Sequence, residues 1–222
     1  LLGGRLKPGF TDRVVTTEFA SDWKINADGH RGPRRVDYGM TSPVIAAVGD
    51  SFTFGYGVEE EQSWPRRLET LLGTGGATKA RVLNLGVGGY GTWQELVDLE
   101  RRWDAIAPSL VVVAFYPGND PADNARGRRA EAALLAPAAG HEAAGGPSLR
   151  ERLKRWLGSR LHLYSLVSSR ADELLVETGL RQVVYPFEME ILLTAPPAHV
   201  TEAWDATREA VFRLAALARR RG

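Results

Sequence analysis

The chain has 222 residues, 44% of them hydrophobic, and its 28 Lys and Arg nearly balance its 27 Asp and Glu. That length suits one large domain, or at most two small ones, and the apolar content suffices for a real core, so wholesale disorder is excluded. The net charge of +1 argues against a protein whose main function is nucleic-acid binding. The sequence has no cysteine, which excludes disulfides, a thiol nucleophile and thiolate zinc sites. It has no run of about 18 apolar residues, the length that predicts a membrane span.

The first half of the chain contains two short apolar runs that predict strands. Residues 1–43 precede them and are polar and turn-rich, so we expect an N-terminal extension that packs on the domain. Val44–Val48 is bounded by glycine and is too short for a helix, so it predicts a buried strand. Residues 61–72 have apolar side chains at helical spacing, and Arg81–Leu85 predicts a second strand.

A second helix and a third strand follow in the sequence. Thr92 and Glu95 have the spacing of a capping box, which predicts a helix that ends near Ile106. Leu110–Tyr116 is the most apolar run of the chain and predicts a central strand that is buried on both faces. Strands that alternate with helices predict an α/β fold with a parallel sheet, whose core we assign to residues 44–124.

Residues 125–200 interrupt this alternation, and we expect them to form a helical, lid-like insertion. Residues 125–147 are rich in Ala, Gly and Arg and are predicted to be irregular. Ser148 and Glu151 form a second capping box, which predicts an amphipathic helix with a basic face. That helix either packs over the active-site edge or makes a peripheral contact with an anionic membrane surface.

The end of the sequence is predicted to return to the core. Its prolines leave room only for a short strand, such as Glu190–Leu193. Thr201 is predicted to cap a last helix that runs to about Arg219, within a core segment of residues 201–222. Another strand would be expected next, so we expect the sheet to be incomplete at its C-terminal side.

One chemistry-bearing residue follows each predicted strand. Ser51 follows the first strand, Gly89 lies in the turn after the second, and Asn119 follows the third. Ligands bind beyond the carboxyl ends of parallel strands, so we expect the three residues at one edge of the sheet. The Ser51 hydroxyl can attack a carbonyl carbon, and the Ser51 and Gly89 N–H groups with the Asn119 amide can hold the resulting oxyanion. This pattern predicts acyl transfer, which needs no metal or cofactor.

Three sequence blocks at these strand ends resemble those of a known family. The blocks, in chain order, are Gly49-Asp50-Ser51, Asn84 with Gly89, and Gly118-Asn119-Asp120. They resemble the first three blocks of the SGNH (GDSL-type) hydrolases, and Ile25–Gly32 resembles a segment found upstream of them in one bacterial branch.

The resemblance implies a flavodoxin-like parallel sheet, the SGNH hydrolase fold. It implies that Ser51 is the nucleophile and that Ser51, Gly89 and Asn119 form the oxyanion hole. The implied activity is that of an esterase or deacetylase on acyl esters of carbohydrate or lipid, and the implied location is periplasmic, secreted or membrane-associated. Four neighbouring residues are expected to contact the substrate: Asp50, Phe52, Tyr90 and Asp120.

The sequence departs from the family pattern at two places. Pro117 stands where the third block usually has glycine. No D-x-x-H block, which supplies the family's general base, is present at any of the four histidines. A serine hydroxyl is a poor nucleophile without an adjacent base. We therefore expect this sequence to lack a C-terminal part that carries the Asp/His pair.

Three functions remain open on the sequence alone. The first is a hydrolase of small-molecule or glycan acyl esters, the second an O-acyltransferase of polysaccharide on the same fold, and the third an inactive binding module that lacks the base. A dinucleotide site is a further rival, because the run Gly86–Gly91 reads G-x-G-x-x-G. The position about 20 residues later, where such sites have an acid, is Val111 in an apolar run, which disfavours that reading.

Overall fold

The fold was analysed in a computed structural model, which describes residues 4–33, 42–74, 80–135 and 190–221. Except for Leu135, these residues belong to one of the two units of the chain, formed by Leu1–Leu134 and Phe187–Gly222. The helix predicted from Ser148 lies outside the described residues.

Three parallel strands form the sheet that carries the site. They are β3 (Val44–Gly49), β4 (Arg81–Asn84) and β5 (Leu110–Ala114), in the order β4-β3-β5. Ile45 of β3 lies opposite Val82 of β4 and Leu110 of β5. The parallel sheet and the α/β class predicted from the sequence are thus confirmed.

Strand β5 was predicted to be central, and this prediction is wrong. Among the described strands β3 is the central one, and β5 pairs only with it. Leu110 and Val113 are 53% and 37% exposed. Val111 and Val112 are only partly buried, against hydrophobic clusters on opposite faces of the sheet, and no residue of β5 is fully buried. The expected burial of this strand on both faces is therefore not found either.

Helices cover both faces of this sheet. In chain order the helices are α1 (Ser51–Phe54), α2 (Trp64–Thr74), α3 (Thr92–Ile106), α4 (Asp120–Leu135) and α5 (Ala198–Arg221), with a 3-10 turn at Glu60–Gln62 before α2. On one face Leu96, Leu99 and Trp103 of α3 and Leu214 of α5 pack against Val48 and its neighbours. On the other face α2 packs through Trp64, Leu68 and Leu72. Among the described residues, no helix combines the length and apolar character that crossing a bilayer requires.

The predicted capping box at the start of α3 is not formed. Gly91 occupies the cap position, and its N–H donates to the Gln94 side chain at 3.1 Å. Thr92 is the first helical residue, and the Glu95 side chain is buried with no hydrogen-bond partner among the described residues. Glu95 is therefore part of the interior instead of the helix cap.

Two further local predictions are corrected. Residues 125–135, predicted to be irregular, continue helix α4 because its first turns are anchored in the core. There the Asn124 side chain accepts from Trp93 N at 2.7 Å and donates to Thr207 Oγ1 at 2.9 Å. Residues 190–193 form a turn closed by Leu193 N and Glu190 O at 3.2 Å, and no strand is present in this described segment.

Helix α5 begins earlier than its predicted cap at Thr201. Its first helical residue is Ala198, and the N–H groups of Val200 and Thr201 both donate to the carbonyl of Pro197. The helical hydrogen bonds therefore begin at the carbonyl of Pro197, and Thr201 lies inside the helix instead of capping it.

The N-terminal extension contains a hairpin that the sequence did not indicate. Strands β1 (Thr11–Val15) and β2 (Ala20–Lys24) pair in antiparallel register. Isolated bridges then link Ile25 to Arg31 and Arg31 to Asn84 at the end of β4. The segment after the hairpin is thereby attached to the edge of the main sheet where the site lies.

Candidate active site

Ser51 begins a short helix directly after the central strand. The Asp50 carboxylate caps this helix and accepts from Phe52 N at 2.9 Å. Because the cap fixes the turn between β3 and α1, Ser51 is held at the carboxyl end of the sheet. Its side chain is half-buried and faces a cavity.

The glycine-rich turn after β4 lies against the Ser51 helix. Val87 N donates to the carbonyl of Gly49 at 3.0 Å, which continues the pairing of the two strands. A Cβ atom on Gly86 would lie 2.2 Å from Phe54 N, so only glycine allows this approach. Gly89 has a φ of +79°, a conformation that glycine adopts without strain.

One cavity of about 780 Å³ contains both Ser51 and Gly89. Its volume lies in the range of small-molecule sites. The other lining residues are mostly apolar or aromatic and include Leu6, Trp23, Phe54, Tyr56, Val87 and Tyr90. The structure therefore brings together two of the three residues that the sequence assigned to acyl transfer.

Asn119 lies in the loop after β5 and is not among the described residues that line this cavity. Its amide Nδ2 donates to Asp123 Oδ2 at 2.9 Å. An asparagine amide carries two N–H donors, so this bond leaves its second N–H for another acceptor. The role of Asn119 in an oxyanion hole stays a prediction.

The four residues expected to contact substrate occupy different environments. Tyr90 lines the cavity. Phe52 is 63% exposed, and its ring centroid lies 5.1 Å from that of Tyr116. Asp50 and Asp120 are both buried, and each accepts a backbone N–H, from Phe52 and Tyr116 respectively. These two carboxylates hold the shapes of the loops after β3 and β5.

Three buried carboxyl groups, those of Asp50, Glu95 and Asp120, have raised pKa values. Burial raises the pKa of Asp50. Burial, with the charges of Asp120 and Asp50, raises the pKa of Glu95 well above its ordinary value. Burial, opposed by the Tyr116 N–H and reinforced by Asp50, raises the pKa of Asp120 to about 7. The interior behind the loops therefore favours protonated carboxyl groups.

Arg31 is a positioning residue that the sequence analysis did not single out. Its guanidinium is buried and donates to the carbonyls of Phe54, Gly55 and Val58 at 2.5–2.6 Å. Asn84 adds a bond from Nδ2 to the Phe54 carbonyl at 3.3 Å. Together they fix the C-terminal end of the Ser51 helix. The only sequence signal was the match of Ile25–Gly32 to an upstream family segment.

Two histidines lie in the described part of the chain, and neither lines the Ser51 cavity. His30 is buried, neither ring nitrogen has a partner among the described residues, and burial lowers its pKa to about 4. It lines a separate cavity of about 460 Å³ beside Arg101 and Arg102. His199 lies in the first turn of α5, and its Nε2 is 2.5 Å from Oε2 of Glu190.

A parallel sheet with a serine at the carboxyl end of its central strand and a glycine-rich turn beside it defines an α/β protein with a candidate site at the ligand-binding edge of the sheet. The family model for the GDSL-like lipase/acylhydrolase family matches residues 47–221. The chain belongs to this family and has the SGNH hydrolase fold.

The chain is also similar to solved structures, at low sequence identity. The structure of AlinE4, an SGNH-hydrolase family esterase, is 21% identical over 60% of this chain and 97% of its own, with a TM-score of 0.34. Two mutants of that esterase are 23% identical over 78% and 80% of this chain, and over 97% and 98% of their own, both with a TM-score of 0.34. A search of curated proteins found no match.

Proposed function

We propose that this protein is a serine-dependent hydrolase of acyl esters, with Ser51 as its nucleophile. The observation that carries the proposal is that Ser51 and Gly89 line one cavity at the carboxyl end of the central strand. Membership in an acylhydrolase family supports the same reaction class.

In the proposed reaction the Ser51 Oγ attacks the ester carbonyl carbon. The new O–C bond forms while the carbonyl electron pair moves to oxygen, and the Ser51 and Gly89 N–H groups stabilise this oxyanion. Loss of one such donor typically costs about 3 kcal/mol of the barrier. The C–O bond to the alcohol then breaks, the alcohol leaves with a proton, and water attacks the acyl-enzyme to release the acid and regenerate Ser51.

The hydroxyl proton of Ser51 must pass to a general base in the first step. Among the described residues no histidine lines the cavity. The proposal therefore assigns the nucleophile and two oxyanion donors, and it leaves the base to a group outside the described residues.

A serine-directed fluorophosphonate tests the nucleophile directly. We expect it to label the full chain at Ser51. We expect Ser51→Ala to abolish this labelling and to lower kcat/KM for p-nitrophenyl acetate by about a thousandfold or more. Ser109→Ala is the matched control, because Ser109 is exposed before β5 at the opposite edge of the sheet.

Labelling that persists in Ser51→Ala would show that another residue is the nucleophile. A folded chain that is neither labelled nor active would contradict the hydrolase proposal and favour a binding module. Transfer of the acyl group to an added sugar in preference to water would instead identify an acyltransferase.

A further inference from the structure

The cavity beside Ser51 is much larger than an acetyl group requires. Its volume is about 780 Å³, a size typical of sites that enclose an entire drug-sized ligand. The side chains that line it are mainly apolar, and its polar groups among the described residues are those of Arg5, Ser51 and Gln94, the tyrosine hydroxyls and the Trp23 indole N–H. A small acyl group alone would leave most of this apolar surface in contact with water.

Part of the cavity wall comes from the hairpin of the N-terminal extension. Trp23 of β2 stands edge-to-face against Phe54 and Tyr56, with ring centroids 4.9 and 5.4 Å apart. Its indole N–H donates to Ser21 Oγ at 3.0 Å. Because this polar atom already has a partner, the ring presents an apolar surface to the cavity in a fixed orientation.

Another part of the wall is a strap formed by residues 4–6. The Tyr90 hydroxyl donates to the Gly4 carbonyl. Arg5 forms an ion pair with Asp98 at 3.3 Å, and Leu6 packs against the cluster that contains Val87 and Tyr90. The strap is thus fixed to the glycine-rich turn and to α3 by three different contacts.

The strap and Trp23 both precede residues 47–221, the part of the chain that matches the family model. The nucleophile and the glycine-rich turn lie within the matched residues. The common core thus supplies the proposed reacting groups, and the preceding segment supplies a wall of the pocket.

We propose that this N-terminal extension is a specificity element, and that Trp23 and the strap form a pocket for a large apolar group of the ester substrate. The inference rests on the proposed function of Ser51. A ring or a chain of several carbons would displace water from the aromatic wall, and each buried methylene would raise kcat/KM about threefold to fourfold. That group belongs either to the acid or to the alcohol of the ester.

Two ester series with the full chain test this pocket. The first keeps p-nitrophenol as leaving group and lengthens the acyl chain from acetyl to octanoyl. The second keeps acetyl and enlarges the alcohol from ethyl to 2-naphthylethyl, primary alcohols of similar pKa, so that leaving-group ability stays constant as size increases. We expect kcat/KM to rise with size in one series, which identifies the side of the ester that occupies the pocket.

Trp23→Ala should remove most of this size dependence while the rate with the smallest ester changes much less. Trp204→Ala is the matched control, since Trp204 lies on α5 and is not among the described residues that line this cavity. Tyr90→Phe is a milder variant that keeps the ring and removes only the bond to the strap, and we expect it to weaken the size preference in part.

Each result separates the two proposals. Ser51-dependent hydrolysis that is insensitive to ester size, or a preference that both Trp23→Ala and Tyr90→Phe retain, overturns the pocket and leaves the hydrolase proposal standing. No Ser51-dependent hydrolysis of any ester overturns the proposed function and the pocket inference with it.

Discussion

Asp120 shows how a single buried side chain near the site affects the whole fold. Its carboxyl group is inaccessible to solvent, and its pKa is raised to about 7. In the unfolded chain the same group loses its proton near pH 4. Between these values the folded state holds a proton that the unfolded state does not, so the contribution to stability is present below about pH 4 and is lost as the pH rises through 7.

We expect Asp120→Asn to flatten the dependence of stability on pH. The amide oxygen of Asn can still accept the Tyr116 N–H, so the loop after β5 keeps its hydrogen bond. The free energy of unfolding should be measured with urea at several values between pH 5 and 8. The wild type should lose up to about 1.4 kcal/mol per pH unit relative to the variant.

The titration of His30 changes the stability in the opposite direction as the pH rises. Its contribution must therefore be separated from that of Asp120. Its pKa is lowered to about 4 by burial and by Arg102, so it stabilises the fold increasingly as the pH rises from about 4 to 6.5. Because both proteins contain His30, its contribution cancels in their difference. Asp12→Asn, at an exposed hairpin position, is the control, and equal slopes for the wild type and Asp120→Asn would contradict the assignment.

At the scale of elements, the contact between the glycine-rich turn and the Ser51 helix determines the position of Ser51. A methyl group at position 86 would meet the backbone of Phe54 at 2.2 Å, and that backbone cannot rotate away as a side chain does. Gly86→Ala should therefore displace α1 together with Ser51. We expect kcat/KM to fall by at least about a hundredfold, since a displacement of about 1 Å has this cost.

Gly73→Ala provides a control for the same chemical change. Gly73 lies in α2, and a Cβ atom there would have no neighbour within 4 Å. In a helix interior alanine is favoured over glycine by about 1 kcal/mol, so this variant should be active and slightly more stable. Full activity in a folded Gly86→Ala variant would show that the contact does not position Ser51.

The elements differ in how well the sequence revealed them. Strands β3, β4 and β5 were predicted within two residues, because short apolar runs between glycines and prolines have few alternatives. Helix α4 was missed because its residues lack an apolar stripe and its contacts are made by Asn124 and small alanines. The β1–β2 hairpin was missed because its strands are largely polar and mostly exposed.

The candidate site was predictable to a similar extent. Ser51 and Gly89 were found because both follow strands of a parallel sheet, whose carboxyl ends meet at one edge. Trp23 and Arg31 were not found, because each acts through contacts with residues more than 20 positions away in the sequence. Glu95 was read as a cap because its spacing from Thr92 is the same for a cap and for a buried position.

At the scale of the whole molecule, the core depends on a helix from the far end of the sequence. Leu214 and Leu217 of α5 are buried against Ala46, Val48 and Leu83 of the sheet. The layer over this face of β3 is therefore complete only when α5 packs beside α3. The site-bearing strand and the last described helix should consequently unfold together.

We expect Leu214→Ala to lower the free energy of unfolding by about 3 kcal/mol, because it removes buried methyl groups and leaves a cavity. Urea unfolding, followed by circular dichroism and by tryptophan fluorescence, measures this loss and tests cooperativity. Phe212→Ala on the same helix is the control, since its ring is 67% exposed and should matter little. Burial against the sheet distinguishes the two side chains, so equal effects of the two variants would contradict the assignment of Leu214 to the core. Unfolding of α5 in an earlier, separate transition would contradict a core shared by α5 and the sheet.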